Sequence, residues 1–195
     1  MKMLEEITLR GARVRLEPLR IEHATALWDA AQAPEIWSFF PRRMTSLSDA
    51  EDFISETLGF QKLGLQLPFA IRDLESGDLV GSTRLMDFNA ANRATEIGGT
   101  WLSSAVWRTR INTECKFLLL RHAFESLNLL RVTFKIDARN ERSQRAIERI
   151  GAQKEGILRA HMILPDGFVR DSVYYSILDR EWLNVKTHLE GFLSS

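Results

Sequence analysis

Between residues 131 and 151 the apolar residues change period, and that change fixes a strand–turn–helix unit. Val132, Phe134, Ile136 and Ala138 alternate with polar neighbours, which predicts a half-buried strand over 131–138. Asn140 is a good N-cap and Gly151 a good stop, so a helix is expected over 141–150. Ser143 precedes Ala146, Ile147 and Ile150 at helical spacing and shares their buried stripe. A hydroxyl in a first helical turn, aimed inward beside unpaired backbone N–H groups, suits an anionic or strongly polarised partner. The competing reading is that Asn140 only caps and Ser143 only fills a small gap.

The remaining chain supplies more units of the same kinds. A strand is expected at 13–19, a helix at 21–32 and a second at 46–63, where Ser48 with Glu51 three residues on fits a capping box. An aromatic loop with two prolines, holding Trp37, Phe39 and Phe40, lies between those helices. Strands are expected at 67–72, 79–88 and 95–102, the last with a Gly98-Gly99 pair that predicts a bulge or a close backbone approach. A helix over 111–127 is apolar on two sides, which predicts burial between layers. Strands at 153–163 and 168–178 flank Pro165-Asp-Gly167, a hairpin signal, and an amphipathic helix closes the chain. The order is β-α-α-β-β-β-α-β-α-β-β-α, an α/β chain with a mixed twisted sheet and helices on both faces.

Composition removes several function classes. A chain of 195 residues suits a single domain, here 1–195. Basic and acidic side chains balance at 26 each, which argues against nucleic-acid and membrane partners. One cysteine, Cys115, excludes an internal disulfide, and with four scattered histidines it argues against a metal site. Cys115 sits in an apolar stripe and reads as a small buried hydrophobe. The start of the chain, Met1-Lys-Met-Leu-Glu-Glu, has no signal-peptide core, and no apolar run approaches a membrane span. The expectation is a soluble, cytoplasmic protein, with a homodimer left open.

The element order and its motifs resemble the GNAT N-acetyltransferases, in the branch of the ribosomal-protein N-terminal acetyltransferases. The resemblance runs from Arg13-Val-Arg-Leu-Glu-Pro-Leu19 through Glu96-Ile-Gly98, Asn112-Thr-Glu-Cys-Lys116 and His122-Ala-Phe-Glu125. It continues through Asn140-Glu-Arg-Ser143, Gly151-Ala-Gln-Lys-Glu-Gly156, Arg159, Asp166-Gly167, Asp171 and Glu181-Trp182. It implies transfer of an acetyl group from acetyl-CoA to an amine, a peptide N-terminus or a small molecule, without a metal. An α-amine with a pKa of about 7.7–8.0 is largely protonated at neutral pH, so a base must free it. The CoA thiolate, from a thiol of pKa about 8.5, needs only a weak acid.

By the same resemblance, Asn140 meets the pantetheine arm and Ser143 stands beside the CoA sulfur as proton donor. The bulged strand, Gly98, Gly99, Thr100 and Trp101, offers backbone N–H groups to the oxyanion. Tyr175 is the competing acid, alternating with Asp171, Val173 and Ile177 on the last strand. Glu96 is the first choice of base, sharing parity with Gly98 and Thr100; the alternative is a surface glutamate paired with Arg84 or Arg93. Asp171 is the second choice, as base or acceptor contact. His122 and His161 have suitable pKa values but unpromising positions. Trp37, Phe39 and Phe40 are expected on the acceptor side.

One stretch departs from the family. Its members carry Gln/Arg-x-x-Gly-x-Gly/Ala before the long helix, where glycines let backbone N–H groups reach the CoA pyrophosphate. Here the loop is Ala105-Val-Trp-Arg-Thr-Arg110, with arginine at both glycine positions. The cofactor residues carried over are Arg108, Thr109, Arg110, Ile111, Asn112 and Thr113. The two guanidinium groups are expected to replace backbone contacts with bidentate phosphate contacts. A damaged groove, in a non-catalytic CoA-binding module, is the alternative.

Overall fold

The computed structural model describes residues 5–194, so the first four residues of the chain start read above lie outside it. Eight strands form one sheet: β1 (Leu9–Arg10), β2 (Val14–Pro18), β3 (Gln66–Asp73), β4 (Leu79–Asn89), β5 (Ala94–Leu102), β6 (Arg131–Asp137), β7 (Gln153–Ile163) and β8 (Val169–Leu178). Five α-helices cover it: α1 (Ala24–Ala30), α2 (Leu47–Lys62), α3 (Ile111–Arg121), α4 (Glu141–Arg149) and α5 (Asp179–Ser194). The sheet order is β1-β2-β3-β4-β5-β6-β8-β7. Every neighbouring pair is antiparallel except β5 and β6.

The two faces of the sheet bury different cores. Phe69 and Ile71 of β3 pack with α3, α4 and α5, whereas Ala70 between them packs with α1 and α2. That double burial explains why β3 reads as an apolar run. Helix α3 is buried nearly all round, from Ile111 through Leu120, as its two apolar stripes predict. Each fully buried Leu or Ile in it contributes about 1.5–3 kcal/mol.

Four local features differ from the sequence expectation. Helix α2 is capped by Ser46, not Ser48: Ser46 Oγ accepts from Asp49 N, and Asp49 Oδ2 accepts from the N–H groups of Thr45 and Ser46. Both serines precede an acidic residue by three, and the first position satisfies more backbone donors. The helix after Arg110 is α-helical only to Arg121 and ends in a π-turn over His122–Ser126. Short β1 was not expected. The Gly98-Gly99 bulge is present but resets strand parity, with consequences for the cleft.

Candidate active site

Strands β5 and β6 pair only where Ala94–Glu96 face Arg131–Thr133, and beyond that the two diverge. A cavity of about 290 Å³ fills the gap. Gly98, Gly99 and Thr100 line one wall, residues 134–137 the other, and Asn112, Lys116, Asn140 and Ser143 approach from α3 and α4. Phe39, Phe40, Arg84, Met86, Glu96, Met162 and Arg170 also line it.

The bulge decides which side chains face which way. Ser82 pairs with Trp101 and Arg84 with Gly98, so Gly99 and Thr100 together oppose Thr83. Gly99 has φ +57, and a Cβ there would lie 2.4 Å from Arg84 Nε, which excludes a side chain on two grounds. Past the extra residue the alternation flips. Glu96 lies on the α1/α2 face with Arg84 and Met86, but Thr100 lies on the α3 face, its Oγ1 accepting from Lys116 Nζ at 2.6 Å. The parity shared by Glu96 and Thr100 in sequence is therefore lost. The cleft passes through the sheet, with Glu96 on one side and Asn112, Lys116 and Ser143 on the other.

Glu96 is only 5% exposed. Burial raises its carboxyl pKa, and the Lys135 ammonium at 3.5 Å pulls it partly back. The pairing with Arg84 or Arg93 considered in sequence is not formed; Lys135 takes that place. Asn140 caps α4, its Oδ1 accepting from Ser143 N at 3.1 Å, which leaves its Nδ2 to donate into the cleft. Ser143 lines the same wall, half-buried.

Other sequence candidates lie elsewhere. Tyr175 is fully buried, and its hydroxyl donates to Glu148 Oε1 at 2.7 Å and Gln144 Oε1 at 3.2 Å. Burial pushes its pKa up to about 12, and it faces α4 rather than the cleft. Asp171 shares that face as the alternation implied, but Oδ1 accepts from Ala160 N, where β7 bulges with Ala160 at φ +48. It braces a strand. Trp37 donates from Nε1 to the Ala31 carbonyl and packs on Trp101 and Phe40 in the α1/α2 core. Trp101 is buried there too, so of that loop only Phe39, Phe40 and Pro41 reach the cleft. His122 is buried in the π-turn, its pKa lowered by burial, and His161 bonds Ser172 Oγ.

The start of α3 is a second constellation. Arg108 adopts φ +63, so the chain keeps the left-handed turn although it lacks the glycine, at a cost of about 1–2 kcal/mol. Thr109 Oγ1 accepts from Ile111 N, leaving further first-turn N–H groups as an anion site. Arg110 is turned away, donating to the Leu193 carbonyl of α5. Two arginines overlooked in the sequence converge from α4: Arg142 lies 4.3 Å over the Trp107 ring, and Arg149 donates to Thr113 Oγ1. Positive charge beside open N–H groups at a helix start suits a pyrophosphate, and the amide-lined cleft suits a pantetheine arm.

Residues 13–153 match the Acetyltransferase (GNAT) domain family. The chain is a GNAT acetyltransferase. It is 38% identical over 109 residues to the putative ribosomal N-acetyltransferase YdaF of Bacillus subtilis, a match spanning 56% of this chain and 58% of that protein. A putative acetyltransferase from T. thermophilus superposes with a TM-score of 0.89 at 38% identity, over 99% of this chain and 100% of that one. The fold is also that of Mycobacterium smegmatis RimJ, solved with CoA-disulfide, at a TM-score of 0.82 and 23% identity over 95% of this chain and 94% of that one. Among the described residues of this acetyltransferase no helix is long and apolar enough to cross a membrane.

Proposed function

We propose that this acetyltransferase takes its acetyl group from acetyl-CoA and passes it to a primary amine by direct attack on the thioester. The acceptor is a protein N-terminal α-amine or a small-molecule amine; the name of the YdaF relative favours a ribosomal protein. A cytoplasmic setting and a single domain over 1–195 belong to the same reading. The observation that carries it is the cleft through the sheet, with a buried carboxylate on one face and amide, hydroxyl and ammonium groups on the other. Acetyl-CoA supplies a thioester already activated for attack. Glu96 accepts the amine's proton, directly or through a water, and burial, by raising its pKa, makes it a stronger base than an exposed carboxylate. The backbone of the Gly98–Thr100 bulge faces the carbonyl that becomes the oxyanion. Asn140 Nδ2 holds the pantetheine, and Arg108, Arg142 and the α3 start hold the phosphates.

Calorimetric titration with acetyl-CoA tests the cofactor half. Asn140→Ala weakens binding by about 0.5–1.5 kcal/mol, the worth of one hydrogen bond. Unchanged affinity removes Asn140 from the site. Arg108→Gly is the cleaner probe of the loop, because glycine accepts φ +63 without strain and only the charge is lost. It is expected to weaken acetyl-CoA binding and flatten its salt dependence while leaving thermal stability unchanged or higher. Arg110→Ala, whose guanidinium is held by α5, changes affinity less. Equal affinities for Arg108→Gly and wild type contradict compensation by charge.

A further inference from the structure

Lys116 is a lysine where the packing offers none of the usual reasons for one. It lies in the second turn of α3, one turn after Asn112, between the two apolar stripes of that helix. It is 5% exposed, and its Nζ has one hydrogen-bonding partner, Thr100 Oγ1, which in turn is bonded to Thr83 Oγ1 at 2.7 Å. Among the described residues it makes no ion pair. The charged groups lining the same cleft come from other elements: Arg84 from β4, Glu96 from β5, Lys135 and Asp137 from β6, and Arg170 from β8. Glu96 is committed to Lys135, and Asp137 to Arg139 and Arg170. From α4 and its N-cap come only Asn140, Ser143, Ala146 and Ile147, all uncharged. On α3 itself the neighbouring Cys115 stays a thiol, its pKa pushed up to about 12 by burial.

A buried ammonium without a carboxylate costs stability, and such a cost persists where a passing negative charge needs it. Lys116 enters the cleft from α3, on the opposite side of the sheet from Glu96, and lines it together with Asn140 and Ser143, the residues read as holding the pantetheine end. Acetyl transfer creates a thiolate on that side. We propose that the Lys116 ammonium stabilises the departing CoA thiolate, with Ser143 as a hydrogen-bonding neighbour. As the C–N bond forms and the C–S bond breaks, the sulfur leaves as a thiolate against Nζ and takes its proton from solvent as CoA departs. The acceptor ammonium loses one proton to Glu96 before attack and a second as the amide forms, both passing to solvent, so two protons leave the nitrogen, one reaches the thiol and one is released. A hydroxyl such as Ser143 can hydrogen-bond the thiolate but brings no positive charge to it. Burial lowers the Lys116 pKa to about 8, and below that pH Nζ carries the charge the thiolate needs.

This inference rests on the acetyl-CoA reading, and the test keeps the two separate. Free CoA is titrated from about pH 6 to 10 on the enzyme, and the thiolate is followed by its ultraviolet absorbance. On wild type the bound thiol ionises at least about one pH unit below free CoA, since an opposite charge close by shifts a pKa by about 1–3. In Lys116→Met that depression is lost, and Lys116→Arg keeps much of it. The Lys116→Met protein also melts at a higher temperature near pH 7, because the desolvated charge is gone, whereas loss of a mere brace for Thr100 lowers it. If CoA binds but its thiol ionises as in free solution on wild type, the Lys116 role is overturned and the cofactor reading stands, whether or not the variant folds. If CoA does not bind, both fall.

Discussion

Replacing Glu96 by glutamine lowers kcat/KM by about 10²–10⁴-fold near and below neutral pH, and by much less once the acceptor amine is already neutral. For an α-amine that recovery begins around its own pKa of about 7.7–8.0. The sign follows from burial. Desolvation raises the Glu96 pKa, so wild-type activity rises with pH as Glu96 loses its proton, and this limb disappears in the variant. Glutamine keeps the shape beside Gly98 and Met86 and removes only the charge and the basicity. A pH–rate profile of both proteins decides. An equal loss at every pH assigns Glu96 to binding or folding, and the neighbouring cleft carboxylate, Asp137, is already committed to Arg139.

The largest stability loss is expected at Glu114, which takes no part in the cleft. It is 4% exposed, and its carboxylate accepts the backbone N–H groups of Ala12 and Arg13 in the turn between β1 and β2. Glu114→Leu leaves those two part-buried donors without their carboxylate, at about 1–2 kcal/mol each, the lower part of the range for a buried group, or about 2–4 kcal/mol in all. For a chain of this size that corresponds to a fall in Tm of roughly 4–16 °C. Gly11 belongs to the same joint: a Cβ there would lie 2.1 Å from Glu114 Oε1. A Tm within about 2 °C of wild type contradicts the account of this joint.

Much of the fold is local in origin and legible for that reason. Alternation in β6, the N-cap at Asn140, the hairpin turn at Gly167 and the double apolar stripe of α3 each follow from a few adjacent residues. What sequence could not supply was which face meets the cleft. Asp171 and Tyr175 do share a face of β8, but it is the face packed on α4, while Arg170 on the opposite face lines the cavity. The Gly98-Gly99 pair announced a bulge, yet carrying the alternation through it put Thr100 on the wrong side. Trp37 lies outside the cleft lining because a buried indole seeks a partner for its N–H, and the Ala31 carbonyl supplies one within the α1/α2 core. Lys116 does carry a signal in the sequence: a lysine between two apolar stripes, one turn after Asn112, has no solvated face to occupy.

The central claim is acetyl transfer to an amine through the β5/β6 cleft, and it is tested most directly by assaying CoA release with acetyl-CoA across a panel of amines. The panel includes peptides with free N-termini, polyamines, amino acids and aminoglycosides, and acetylated product is confirmed by mass. The account predicts amine-dependent CoA release with a stoichiometric acetylated product for at least one acceptor, slowed by about 10²–10⁴-fold near neutral pH in Glu96→Gln. Tight acetyl-CoA binding with no product for any amine, or product formed equally by Glu96→Gln, contradicts it.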